Sequence, residues 1–350
     1  MTIINLYSDT QSQPSAQMRD AMCRSAVGDE QKGTDPTVTA LLEAVAERLG
    51  KEAAIFLPSG TMCNAIAVAV HCKKGDAILT EASSHMMRYE AGGMSALTGA
   101  IPEAIDGIDG QYTLEQVQRH FHPGSRYTPA TTLLTVEQTC NLAGGRVWPV
   151  AQLNEVAIEA RRLGMKTHMD GARLFNAAVA TNRPPSEHCK HFDSVWVDFT
   201  KGLGAPFGAV LCGSREFIDQ AWNWKHRFGG AMRQAGIMAG ACLYALEHNV
   251  ERLAEDHGHA ARLNDGLKSI PGIRVRHTET ETNILYFEVT EPGVSAEVFL
   301  QRLAANGLKI GIVGSGFRVV TYPGIGASDI EAALEIIRNT LEEMRGKKSL

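Results

Sequence analysis

The sequence predicts an α/β fold: a large, mainly parallel sheet flanked by helices, then a smaller C-terminal α+β unit. Three observations carry this. Short apolar, β-branched runs alternate with amphipathic segments over much of the chain. Polar residues able to do chemistry follow directly on those runs, where open parallel sheets bind ligands. Beyond about residue 245 the alternation gives way to short, closely spaced strands, so the division expected is 1–245 (N-terminal arm and large domain) and 246–350 (small domain).

In order along the chain, residues 36–49 place Val38, Leu41, Leu42, Val45 and Leu49 at helical spacing. A short strand is expected over 53–57. Ser59-Gly60-Thr61 then opens a helix running to about Cys72. Strands follow over 77–80 and 131–137, the second a continuous β-branched run of the fully buried kind. An amphipathic helix is expected over 150–163, then strands over 166–170, 194–199 and 208–212. One long helix is expected from Met232 to about His257. The remainder reads as strands at 272–277, 283–289, 309–313 and 317–321, with helices at 295–305 and 327–344.

The bulk numbers exclude several function classes. The chain has 350 residues, 44% hydrophobic and 21% charged, with a formal net charge of −5. That is ordinary for a soluble globular protein and gives no basis for binding nucleic acid or an acidic membrane. No apolar run reaches the roughly 20 residues of a membrane helix. Met1 to Asp9 has no basic region leading into an apolar stretch, so no leader is expected and a cytoplasmic location is. Seven scattered cysteines without a CxxC pair read as reduced thiols, and no metal site is expected.

Several positions stand out chemically. Lys201 lies between two apolar strands, in Asp198-Phe199-Thr200-Lys201-Gly202-Leu203-Gly204. Burial lowers an amine's pKa and makes it nucleophilic toward an aldehyde; the plainer alternative is a surface lysine on a glycine-rich turn. Asp170 ends a hydrophobic strand, as a partner for a protonated ring nitrogen or as the cap of a helix starting at Gly171. Arg173, near the same helix mouth, could hold a carboxylate or phenolate. Ser59-Gly60-Thr61 offers free N–H groups and a helix dipole to a phosphate. No Walker or GxGxxG pattern is present. His85 could stack on a flat ring or move a proton, or simply bond structurally. Arg318, in a late apolar strand, wants an anion unless it lies on an exposed edge. The glycines of Gly229-Gly230-Ala231-Met232-Arg233-Gln234 indicate close backbone approach.

Taken in order, these segments resemble the low-specificity threonine aldolases of the β-eliminating lyase family, pyridoxal-phosphate (PLP) enzymes of the aspartate-aminotransferase fold, fold type I. The resemblance covers nearly the whole chain. It runs through Ser8-Asp9-Thr10, Gly33-Thr34-Asp35-Pro36, Pro58-Ser59-Gly60-Thr61-Met62, Glu90-Ala91-Gly92, Gly144-Gly145-Arg146-Val147, Asp170-Gly171-Ala172-Arg173, Lys201-Gly202-Leu203 and Met232-Arg233-Gln234. It implies that Lys201 forms a Schiff base with PLP and that Asp170 pairs with the ring nitrogen. Arg173 lies near the ring hydroxyl and substrate carboxylate, Gly60 and Thr61 bind phosphate, and His85 stacks on the ring and takes part in proton transfer. Ser8 and Arg318 hold the substrate carboxylate. Arg233 reaches phosphate across a subunit interface, which makes a homodimer or homotetramer with shared sites the expected assembly.

The implied reaction is retro-aldol cleavage of a β-hydroxy-α-amino acid to glycine and an aldehyde. Four positions depart from the family pattern. Tyr7 stands for the usual arginine before Ser-Asp-Thr, and Lys32 for the tyrosine before Gly-x-Asp-Pro. Cys140 replaces the histidine of Glu-Asn-Thr-His-Asn, and Tyr322 the histidine of Val-Thr-His. An inward Lys32 would suit an acidic β-substituent. The alternatives left open are β-elimination, transamination or racemisation with the same cofactor, and a non-catalytic protein on a decayed PLP fold.

Overall fold

The computed structural model describes residues 3–314 and 316–346. After a short strand β1 (Ile4–Asn5), the main sheet is built from β2 (Ala53–Leu57), β3 (Ala77–Glu81), β4 (Ile101–Ile105), β5 (Thr131–Glu137), β6 (Lys166–Gly171), β7 (Ser194–Asp198) and β8 (Ala209–Gly213). It is seven-stranded, in the order β2-β8-β7-β6-β5-β3-β4. The pairs β3–β4, β3–β5, β5–β6 and β6–β7 are parallel, and β8 runs antiparallel to both of its neighbours. The mainly parallel sheet expected from the alternation is present.

Local chemistry sets the helix ends. The helix Pro36–Leu49 starts on Asp35, whose Oδ1 accepts the Val38 N–H at 3.0 Å, and stops at Gly50 with φ +62°. The helix Gly60–His71 is capped by Ser59. β4 was not expected: Pro102 breaks its apolar pattern, which the fold tolerates because β4 is an edge strand. The helix Arg215–Arg227 was likewise missed.

The long helix expected over 232–257 is instead two, Gly236–His248 and Leu253–Lys268. The break at Asn249-Val250-Glu251-Arg252 contains neither Pro nor Gly, so the cause is tertiary. Asn249 caps the first helix and its Nδ2 donates to the Leu203 carbonyl at 2.7 Å, which turns the chain.

The C-terminal part carries β9 (Ile273–Val275), β10 (Ile284–Val289), β11 (Leu308–Lys309), β12 (Gly311–Val313) and β13 (Gly316–Val320). A four-stranded antiparallel sheet runs β12-β13-β10-β9, and β11 pairs in parallel with β1. Its core joins Phe287, Phe299, Phe317 and Ile337 to Leu6 from the N-terminal arm. The main core lies around β5, β6 and β7 with Leu153, Val156 and Phe199. We propose the division near residue 245; Leu246 and Leu253 still pack in the main core, and the second core resumes at Ala260.

Phe317 is buried, stacked 5.2 Å from Phe287 and edge-on 5.3 Å from Phe299. Phe317→Ala is expected to lower stability by about 3–5 kcal/mol in urea denaturation; a loss below about 1 kcal/mol would show that this ring cluster does not hold the C-terminal unit.

Candidate active site

β5 and β7 end in Glu137 and Asp198, β6 carries Asp170 one residue before its end, and all three buried carboxylates line a cavity of about 510 Å³. Ser8, Gly60, Thr61, His85, Asp170, Arg173, Lys201 and Arg318 all line it. Eight of the ten residues singled out from sequence therefore share one cavity.

Lys201 follows β7, and its Nζ pairs with Asp198 Oδ2 at 2.9 Å. Asp198 Oδ1 accepts the Thr200 hydroxyl and N–H, so the carboxylate is fixed before it meets the amine. The side chain of Lys201 is 18% exposed, which rules out the surface alternative. Asp170 Oδ1 accepts the Ala172 N–H at 3.1 Å and Oδ2 accepts Asn64 Nδ2 at 2.9 Å. The next helix starts only at Leu174, so Asp170 is not its cap. Two glycines are demanded by Trp196. A Cβ on Gly60 would lie 2.0 Å from its ring, and one on Gly171 would lie 2.1 Å from its carbonyl oxygen.

Arg173 is committed to a protein partner. Its Nε and Nη2 each donate at 2.7 Å to the two oxygens of Asp9, and both residues are buried. Burial alone pushes the Asp9 carboxyl up, but the charge and hydrogen bonds of Arg173 outweigh it and hold Asp9 well below the usual range. Asn283 Nδ2 also donates to Asp9, at 3.1 Å. Arg318 is different. Nη2 donates to Asn141 Oδ1 at 3.0 Å, while Nε is buried without a partner. Burial, then the nearby Arg173, push its pKa down. Among the described residues no anion hydrogen-bonds this guanidinium.

His85 donates its backbone N–H to Glu137 Oε2 at 2.6 Å, and its Nδ1 lies 3.0 Å from Glu90 Oε1. Burial pulls the imidazole pKa down, but the Glu90 hydrogen bond and surrounding carboxylates win and raise it. Burial and the neighbouring Asp170 push Glu137 up to about 7, and burial foremost raises Glu90.

Two expected residues lie elsewhere. Arg233 is 60% exposed and pairs with Asp29 at 2.9 Å. Lys32 is exposed on the adjoining segment, which is stitched to it by Glu30 N–H to the Arg233 carbonyl. Neither lines the cavity of its own chain. Of the departures, Tyr7 lines the cavity. Cys140 sits behind the wall, its thiol directed at the Gly110 and Glu137 carbonyls. Tyr322 is tied to the Asn5 carbonyl at 2.6 Å. Reading the sequence missed Asp9, Asn64, Glu90, Glu137 and Asp198 as site residues. Glu137 and Asp198 carry the same mark that revealed Asp170, a carboxylate ending an apolar strand; Asn64, inside a helix, carries none.

The residues fit PLP. There is a helix N-terminus for phosphate, a carboxylate without a cation for the ring nitrogen, a lysine for the aldehyde, and an arginine whose Nε has no partner. The chain matches the family described as β-eliminating lyase over residues 5–290. The chain belongs to the β-eliminating lyase family. Within it, the chain is 38% identical to low-specificity L-threonine aldolase 1 of Arabidopsis thaliana, over 99% of this chain and 98% of that one. It is 40% identical to the low-specificity L-threonine aldolase of Escherichia coli K12, over 84% and 87%. The threonine aldolase of Leishmania major superposes with a TM-score of 0.80 at 18% identity, over 96% and 98%, which shows the same fold. The decayed-fold alternative is not supported: this member of the family keeps Lys201, Asp170 and the helix N-terminus at Gly60 in one cavity.

The Asp9–Arg173 pair predicts a pH effect. The folded-state pKa of Asp9 is depressed, so its contribution is fully present above the unfolded value of about 3.9 and is lost as pH falls below it. Asp9→Asn is expected to destabilise the protein by about 3–5 kcal/mol at neutral pH and to flatten stability against pH below about 4. An unchanged acid limb in the variant would contradict this assignment.

Proposed function

We propose that this chain is a PLP-dependent aldolase that cleaves a β-hydroxy-α-amino acid of the threonine or allo-threonine type to glycine and an aldehyde. The observation that carries it is the single cavity in which Lys201 and Asp170 face the N-terminus at Gly60 and the unsatisfied Arg318. The threonine-aldolase names of the relatives support the substrate class.

When bound, the cofactor supplies an aldehyde for amine capture and a cationic ring that withdraws electrons from the substrate Cα. The chain's own residues do the rest. N–H groups at Gly60 and Thr61 hold the phosphate. Asp170 would hold the ring nitrogen of the bound cofactor. Lys201, tethered by Asp198, would take the cofactor's aldehyde and, as a free amine, could carry a proton to or from the substrate Cα. Arg318 and Ser8 bind the substrate carboxylate, while Arg173 shapes the pocket from its pair with Asp9. His85 has Nδ1 tied to Glu90, which leaves Nε2 to accept the β-hydroxyl proton. Cys140 takes no part, because its thiol points away from the cavity.

Lys32 and Arg233 are assigned to the cavity of a partner copy in a homodimer or homotetramer, on the ground that they sit together, exposed, outside their own site. A cytoplasmic location belongs to the same proposal, supported by seven free cysteines, six of them buried. No helix among the described residues is long and apolar enough to cross a membrane.

Purified enzyme incubated with threonine, allo-threonine, phenylserine and 3-hydroxyaspartate should yield glycine and aldehyde in equal amounts from at least one. Ammonia and a keto acid instead would move the reading to β-elimination or transamination, and a stereochemically scrambled amino acid to racemisation. Lys201→Ala should lower turnover by about a thousandfold or more and abolish the visible absorbance of the loaded enzyme. Arg318→Gln should raise KM by about 10–100-fold with a smaller change in kcat; a fall confined to kcat would remove Arg318 from carboxylate binding.

A further inference from the structure

We propose that Asn64 and His168 are positioning residues that orient Asp170 for the cofactor, as the last links of a one-way ladder of neutral hydrogen bonds that begins at His71. This rests on the PLP reading above. Asn64 and His71 lie seven residues apart on the helix Gly60–His71, hence on one face of it. That face covers β6 and β7, where His168 and Asp170 are two residues apart and pair in register with Ser194 and Trp196. The helix thus meets a polar stripe of the sheet over two turns.

The direction of every bond follows from the donors. Trp196 Nε1 can only donate, and it reaches Asn64 Oδ1 at 2.7 Å. The amide nitrogen of Asn64 is thereby turned to the carboxylates, Asp170 Oδ2 at 2.9 Å and Glu90 Oε1 at 2.7 Å. His168 Nε2, 3.1 Å from the same Oδ1, must carry a proton. Its ring is neutral, since burial pushes it down to about 3, so Nδ1 accepts from the Ser194 hydroxyl at 2.8 Å. Ser194 in turn accepts from His71 Nε2 at 2.8 Å, on a ring that burial pushes down to about 4. Asn64, His168 and Ser194 are fully buried, and Trp196 nearly so.

The charge of an ionised Asp170 would be felt by Glu90, Glu137, His85 and the Cys63 thiol. His85 bonds Glu90 rather than Asp170. Among the described residues no cation therefore hydrogen-bonds Asp170, whose two oxygens are held by Ala172 N–H and Asn64 Nδ2. The ladder orients the carboxylate without neutralising it, and the counter-charge is left to a protonated ring. His71 ends the ladder at the wall of a second cavity of about 350 Å³.

The test uses apo-enzyme titrated with PLP, reading affinity and the pH dependence of the visible band together with apo-protein melting. Asn64→Leu should weaken PLP binding about tenfold or more and move the band's titration to lower pH. His168→Leu and Ser194→Ala should do the same in decreasing measure, and His168→Gln, which keeps a donor toward Asn64, should recover most of the wild-type behaviour. Ser194→Ala removes one hydroxyl and keeps the test decisive where Asn64→Leu does not fold. If the variants melt lower but bind PLP and titrate as wild type does, or if His168→Gln and His168→Leu behave alike, the ladder is structural only and the inference falls. If the wild type takes up no PLP, the cofactor reading itself falls with it.

Discussion

Three neighbouring parallel strands carry buried carboxylates at or one residue before their ends, Glu137, Asp170 and Asp198, and the site is organised by the need to satisfy them. Like charges taken out of water are tolerated only with donors or cations at hand. Each carboxylate solves this differently. Asp198 takes Lys201 and the Thr200 hydroxyl. Glu137 takes the backbone N–H groups of His85 and Asn141. Asp170 takes only neutral donors. The solutions place the chemistry. Lys201 is held beside β7, the segment bearing His85 is pinned across the mouth of β5, and Asp170 is held by neutral donors.

A second balance closes the other side of the cavity. Arg173 lies close enough to Arg318 to disfavour the charge of Arg318. Asp9 neutralises the first, and the second keeps a buried Nε without a partner. Asp9 comes from the N-terminal arm, Arg318 and Asn283 from the C-terminal unit, and the arm is fastened to that unit by pairing of β1 with β11. The cavity is therefore completed by chain segments hundreds of residues apart, and the corner formed by Arg173 and Arg318 draws on both cores.

How much of this was legible varies with the kind of signal. The strands 53–57 and 131–137 and the helix 36–49 were legible because their apolar period is uninterrupted and their caps are local. β4 was not, since Pro102 disguises an edge strand. The break at Asn249 was not, since its cause is a carbonyl 46 residues away. In the site, Lys201 and Asp170 were visible as charges ending apolar strands, and Gly60 and Thr61 as a small-residue helix start. Asp9 and Asn64 were invisible because their roles exist only across 164 and 106 residues of separation. Arg173 was found, but its partner, and so its commitment to Asp9, was not. The suggestion of an acidic substituent rested on Lys32, which this chain keeps outside its own cavity.

The most direct test of the account is where PLP attaches. Reducing the loaded enzyme with borohydride freezes the bond between cofactor and lysine, and peptide mapping by mass spectrometry locates it. The account predicts a single modified residue, Lys201, in stoichiometric yield. Stable attachment at another lysine, or none in an enzyme that has taken up the cofactor, would contradict it.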